Sequence, residues 1–263
     1  MTVDLRWAPF LTVLEREVKR FLKVIFQTIF TPLINSTLYL LIFGVSLGSH
    51  IKLDSGRSYL AFLIPGLVMM GCLNNAFQNS SSSVITAKFG GDLEDFRVSP
   101  LSHFQIVWAM SFGGLIRGIT VGFLTYMTGL VFIYFTEGNW LSISHPLALL
   151  FFVAVGGLSF AKLGICVAFW ARSFDQLGAV TGFILQPLLY LGGVFFSIKA
   201  LHPFWQALAA WNPLVYLVNG VRYGLIGVAD VDPTQAVLVS LVTLAVFHAM
   251  ALRSLTTGSF LRW

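Results

Sequence analysis

Apolar residues run along this chain in six long blocks separated by short polar stretches, and one amphipathic block precedes them. In residues 5–23, LRWAPFLTVLEREVKRFLK, Leu11, Leu14, Val18, Phe21 and Leu22 recur at helical spacing. Arg16, Glu17, Lys19, Arg20 and Lys23 fall largely elsewhere around the turn, and Glu15 and Lys19 make a favourable i, i+4 pair. Such a segment predicts a helix lying in a membrane interface, since it is too charged to cross hydrocarbon. The six blocks predict transmembrane helices at 24–47, 59–77, 104–135, 146–170, 177–196 and 236–252, the third long enough to project beyond the bilayer. The polar stretch QNSSSSVITAKFGGDLEDFRVSPLS after the second block reads as a loop, Ser80 to Ser83 included. Residues 197–233 are interrupted by Pro203 and by the Asn212–Pro213 pair. Proline removes a backbone donor and disfavours helix at the residue before it. The pieces between are too short to cross, so 203–226 predicts two short re-entrant helices.

Composition agrees: 57% of the residues are hydrophobic and 10% charged, against about 25% charged in a soluble domain. The net charge of +5 matters less than its placement. With the N-terminus inside, the inner segments hold ten Lys and Arg and the outer segments four (Lys52, Arg57, Lys199 and Arg222), while Arg117 and Lys162 lie within spans. Positive residues accumulate on the cytoplasmic side, so both termini are expected there. No basic run with interleaved polar groups suggests nucleic-acid binding. Cys72, Cys166 and the scattered histidines show no metal-ligand or disulfide spacing, and no cleavable signal peptide is evident. The whole reads as a single membrane domain without internal repeats.

Candidate chemistry is sparse. The phosphate-loop pattern G-x-x-x-x-G-K-[ST] is absent, so if ATP drives this protein, another chain binds it. Lys88, Asp92, Glu94, Asp95 and Arg97 cluster after the second span and could dock a soluble partner or form a merely solvated loop. Gly114, Gly118 and Gly122 recur on one helix face, for close packing or for a path. An intramembrane charge marks a functional site by default. Lys162 could snorkel. Arg117 could snorkel, pair with a carbonyl or an edge acid, or face a substrate path.

Three stretches, SYLAFLIPGLVMM (58–70), LEDFRVSPLSHFQI (93–106) and PLLYLGGVFFSIKALHPFWQALAAWNPLVYLVNGVRYGLIG (187–227), resemble the ABC-2 permeases, membrane subunits of bacterial exporters. The chain is similar to bacterial inner-membrane transport permeases, related to those exporting polysaccharide, O-antigen and nodulation factor. The resemblance implies an all-α integral membrane fold of the type V exporter kind: six transmembrane helices, an N-terminal interface helix and re-entrant helices near the outer exit. It implies two copies of this chain with two ATP-binding subunits in the bacterial inner membrane. ATP and Mg would sit on those subunits and no cofactor on this chain, which would not itself be an enzyme. It places ATPase coupling at Lys88 to Ser99, and the exit signature at Gly192, Gly193, Asn212, Pro213 and Arg222. Lys199 and His202 depart from the family pattern. The expected cargo is an amphipathic, lipid-linked or glycan-type molecule or a drug. The competing classes are a channel or ion-coupled carrier, which would need intramembrane acids, and a membrane-embedded enzyme, which would need converging catalytic groups.

Overall fold

The computed structural model describes residues 7–48, 56–92 and 100–257. Helix α1 (Ala8–Leu22) is amphipathic and precedes α2 (Ile25–Ser46). Then follow α3 (Tyr59–Gly90), α4 (His103–Glu137), α5 (Pro146–Trp170) and α6 (Phe174–Val194). Two short helices, α7 (Pro203–Ala210) and α8 (Pro213–Ile226), lead to α9 (Pro233–Thr257). No strand occurs among the described residues, and six helices are long and apolar enough to cross a membrane.

The axis of the bundle is α3, buried along most of its length. Between helices in lipid there is little hydrophobic driving force, so contact depends on close fit. Here α4 meets α3 through glycines. A Cβ at Gly114 would lie 2.7 Å from Ser80 Oγ, and one at Gly118 would lie 2.7 Å from the Cys72 carbonyl oxygen. Gly122 faces Val68, so the glycine stripe serves packing within the chain. On the other side α5 does the same, with Gly164 against the Phe77 carbonyl.

The second span, α3, does not stop at Phe77. It continues through the serines to Gly90 and ends on Gly91, which takes the left-handed φ of 89°. Far from being a loop, Ser80, Ser81 and Ser83 are buried. The fifth span is not a uniform α-helix. It passes through π-helical turns at Thr181–Leu185 and Tyr190–Val194, and α2 does so at Leu40–Ser46.

Helices α7 and α8 form a hairpin that dips back beside α6. The Asn212 side chain caps α8 through Leu214 N (3.1 Å) and donates to the Leu188 carbonyl (2.9 Å). Leu188 lies six residues before Val194, so the hairpin's tip sits about 9 Å below the end of α6. Far from the tip, α8 ends against the start of α5, where its Gly224 carbonyl accepts from His145 N at 2.8 Å.

Filling the glycine contact tests this account. Gly118→Val should lower stability in detergent by about 1–3 kcal/mol through overpacking. Gly182→Ala, where nothing lies within 4 Å, should leave thermal unfolding unchanged or slightly later.

Candidate functional site

A groove of about 360 Å³ opens between α2, α3, α4 and α6, and its lining is mostly polar. Gln27, Thr31, Asn35 and Ser36 come from α2; Asn74, Asn75 and Gln78 from α3; Arg117 and Thr125 from α4; Gln186 and Tyr190 from α6. Few of these groups are consumed by one another. Asn75 donates to the Gly71 carbonyl (3.1 Å) and Gln78 to Asn74 (3.3 Å). Tyr39 and Tyr190 join hydroxyl to hydroxyl at 3.1 Å on one side. Arg117 is half-buried, its Nε lacks a hydrogen-bond partner among the described residues, and the neighbouring charge that acts on it is another cation, Arg20. The groove therefore offers amides, hydroxyls and one cation, with no carboxylate in its lining.

On the opposite face of α6 lies an apolar pocket of about 540 Å³, lined by Leu188, Leu191, Trp205, Leu208 and Trp211 among others. Gln186 and Tyr190 thus face the polar groove while Leu188 and Leu191, on the same helix, face the apolar one.

Beneath the groove, α1 is locked to the helix ends by a buried acid. Glu17 is fully buried, accepts from Ser83 Oγ at 2.6 Å and pairs with Arg20 at 3.4 Å. Arg20 also reaches Ser82 Oγ (2.9 Å) and the Asn79 carbonyl. Burial pulls the Arg20 guanidinium below its ordinary pKa, and Glu17 opposes that pull. The sequence pattern sets Glu17 among the charges that fall largely off the apolar stripe, yet Val13, Glu17 and Phe21 follow one another at i, i+4, which places Glu17 on the packing face. The serine run at 80–83 was the other half of that signal.

The exit-signature residues come together in one cluster. Arg222 is fully buried rather than an outer surface charge. It donates to the Gly193 carbonyl (2.8 Å) and to Asn219 Oδ1 (3.3 Å), and lies 3.7 Å from the centre of the Phe62 ring. Gly193 takes a φ of 77°, which a residue with a side chain rarely adopts. Gly192 packs on Leu214, and Pro213 occupies the first turn of α8, where its missing N–H costs nothing. Asp230 completes the cluster by accepting from Ser197 Oγ and Ile198 N, both at 2.9 Å.

Of the coupling residues, Lys88 and Asp92 are among the described ones. Lys88 is buried, and its ammonium donates to the Phe169 and Ala171 carbonyls at the end of α5 (3.1 and 3.0 Å). Asp92 is exposed beside α1, on a surface groove that also holds Arg16, Lys19 and Lys23. Glu94, Asp95 and Arg97 lie outside the described residues. Among the described residues no group of His, Cys, Asp and Glu could hold a metal ion.

The sequence profile of the ABC-2 type transporter family matches residues 9–226. Inner membrane transport permease YadH of Escherichia coli (strain K12) is 36% identical over 260 residues, which cover 99% of both chains. Nodulation protein J of Rhizobium leguminosarum bv. viciae is 27% identical over 227 residues, 82% of each chain. Nodulation protein J of Rhizobium meliloti (strain 1021) is 26% identical over 215 residues, 78% of this chain and 76% of that one.

Removing one partner of a buried ion pair strands the other. Glu17→Ala should destabilise the fold by about 3–5 kcal/mol. Glu17→Gln, which can still accept from Ser83, should cost less. Chemical or thermal unfolding of the two purified variants checks the order.

Proposed function

Because the chain belongs to the ABC-2 type transporter family and is a multi-pass inner-membrane transport permease, we propose that it is the membrane subunit of an ATP-driven exporter. Two copies would work with two ATP-binding subunits, which carry ATP and Mg. This chain catalyses no reaction of its own. Both termini face the cytoplasm in this reading, as the placement of Lys and Arg requires. The cargo is an amphipathic molecule whose head is polar and anionic, as a lipid-linked glycan carrying phosphate would be.

The observation that carries this reading is the groove with Arg117. A cation at membrane depth with no carboxylate beside it is costly unless something anionic visits it, and a guanidinium can hold a phosphate in a bidentate grip. The amides and hydroxyls around it suit a hydroxyl-rich head, and the apolar pocket across α6 suits a hydrocarbon tail. The lock between α1 and α3 supports coupling: force applied by an ATPase near Asp92 and its neighbours Glu94, Asp95 and Arg97 would pass through Glu17 and Arg20 to the groove's floor. In this scheme Lys88 holds the ends of α3 and α5 together, and the Arg222 cluster keeps the outer hairpin in place.

The chain purified alone should show no ATP hydrolysis, and it should co-purify with a separate ATP-binding subunit; robust ATPase activity of the isolated chain overturns the reading. In the reconstituted complex, Arg117→Lys should assemble normally yet lose the stimulation of ATPase activity by a lipid-linked sugar phosphate. An unchanged response in Arg117→Lys and in Arg117→Gln removes the head-group role. Orientation is checked separately: after Cys72 and Cys166 are replaced, a single cysteine at exposed Gly56 should label from outside intact cells, whereas one at exposed Thr86 should not.

A further inference from the structure

The groove leaves another buried cation unexplained. Lys162 on α5 is fully buried, and its Nζ has no hydrogen-bond partner among the described residues. It does not snorkel toward either end of its helix; its ammonium rests 3.8 Å from the centre of the Trp108 ring on α4. The Trp108 ring lies 5.4 Å from that of His248 on α9, and Phe104 closes against both, at 6.0 and 5.1 Å. Trp108 Nε1 and both ring nitrogens of His248 are also without partners. Three helices thus bring an ammonium, an indole N–H and an imidazole to one place. Glu137 and Asp175, the acids on the spanning helices, sit at helix ends and form no ion pair with Lys162.

Unpartnered donors are expensive in hydrocarbon, where no water replaces the missing bond. Three such donors in one cluster, the ammonium, the indole N–H and the imidazole N–H, point to an absent acceptor. Depth narrows its identity. Trp108 is five residues into α4, Lys162 eight residues before the end of α5, and His248 nine before the end of α9. At 1.5 Å per residue these are about 8, 12 and 14 Å from the end of the bundle that carries α1. With 35 residues, α4 is about 52 Å long against about 30 Å of hydrocarbon, so its ends project. The cluster therefore sits close to the edge of the hydrocarbon, where lipid phosphates lie. Trp108 and His248 are only partly buried and Phe104 is exposed, so the cluster borders the lipid. Neither ring makes a hydrogen bond that would have to break for the site to open outward.

We propose that Trp108, Lys162 and His248 form a site for the phosphate of an anionic phospholipid in the leaflet on the α1 side, separate from the transport groove. A phosphate offers acceptors to all three side chains and cancels the lysine charge through charge-assisted hydrogen bonds. Basic pockets between membrane helices take anionic head groups in this way.

The test uses the full chain in nanodiscs of phosphatidylcholine, phosphatidylcholine with phosphatidylglycerol, or phosphatidylcholine with millimolar inorganic phosphate. Thermal unfolding and native mass spectrometry of retained lipid are the readouts. The wild-type midpoint should rise with the phosphatidylglycerol fraction and not with inorganic phosphate. Lys162→Met, which fills the same space without charge, should hold its midpoint in phosphatidylcholine but bind phosphatidylglycerol at least about tenfold more weakly. Arg117→Gln, which alters only the groove, should keep the full response, so a failed transport reading leaves this one standing. If Lys162→Met does not fold in phosphatidylcholine, His248→Leu provides the same comparison. An equal phosphatidylglycerol response in wild type and in the variant that folds, or none in wild type, overturns the site. An equal response to inorganic phosphate overturns the lipid as its source.

Discussion

Close approach of α4 and α5 to the backbone of α3 is the contact on which the other placements depend. Gly118 sets α4 against the Cys72 carbonyl, and Gly164 sets α5 against the Phe77 carbonyl. At that separation Asn79, Ser80, Ser81 and Ser83 of α3 are buried. Ser80 can reach the Met110 carbonyl (3.4 Å), and Gly113 leaves just enough space beside α4 for Glu17. The amphipathic helix α1 is then held by a hydrogen-bonded acid as well as by its apolar stripe. The same packing leaves α2 and α6 at the periphery, mostly exposed, with their polar side chains turned toward the groove.

Hydropathy alone sufficed to reveal six candidate spans and an amphipathic helix before them, because lipid demands long apolar helices and tolerates few charges. It misled at 78–90. Gln78, Asn79 and the serines look like a loop when each side chain is judged as though water were its only partner. Ser80, Ser82 and Ser83 instead meet the Met110 carbonyl, Arg20 and Glu17, which are distant in sequence and adjacent only in the folded chain. Arg222 and Lys88 misled for the same reason: each reads as a surface charge, and each is buried on carbonyls that other helices present. The prolines at 203 and 213, by contrast, carry their meaning locally, and the hairpin they open was visible in the sequence.

Irregular backbone gathers where the groove lies. The π-helical turns of α2 and α6 flank it, and the left-handed Gly193 ends α6 just before the hairpin. A π turn widens the helix and shifts the register of side chains along it, and such turns recur at functional sites. Here they let Tyr39 and Tyr190 meet across the groove while Leu188 and Leu191 remain turned to the other side. Non-helical backbone in this setting needs its polar groups satisfied by protein. Arg222 does so for Gly193, and Asn212 does so for Leu188.

Arg222, Arg117 and Lys162 lie among the packed helices in three different environments, and the differences separate structure from function. Arg222 is engaged by other parts of the chain: two hydrogen bonds, an aromatic face and the nearby Asp230 surround it, although its Nε has no partner among the described residues. It is fully buried within the chain, and its work is to hold the hairpin. Arg117 and Lys162 are both left with unused donors, but their settings are unlike. Lys162 is sealed under aromatic rings beside the lipid, in a place that suits a resident group. Arg117 lines an open groove of amides and hydroxyls, in a place that suits a passing one. A permease must bind its cargo loosely enough to release it, and a half-buried guanidinium among neutral hydrogen-bonding groups meets that requirement better than a closed cage of charge.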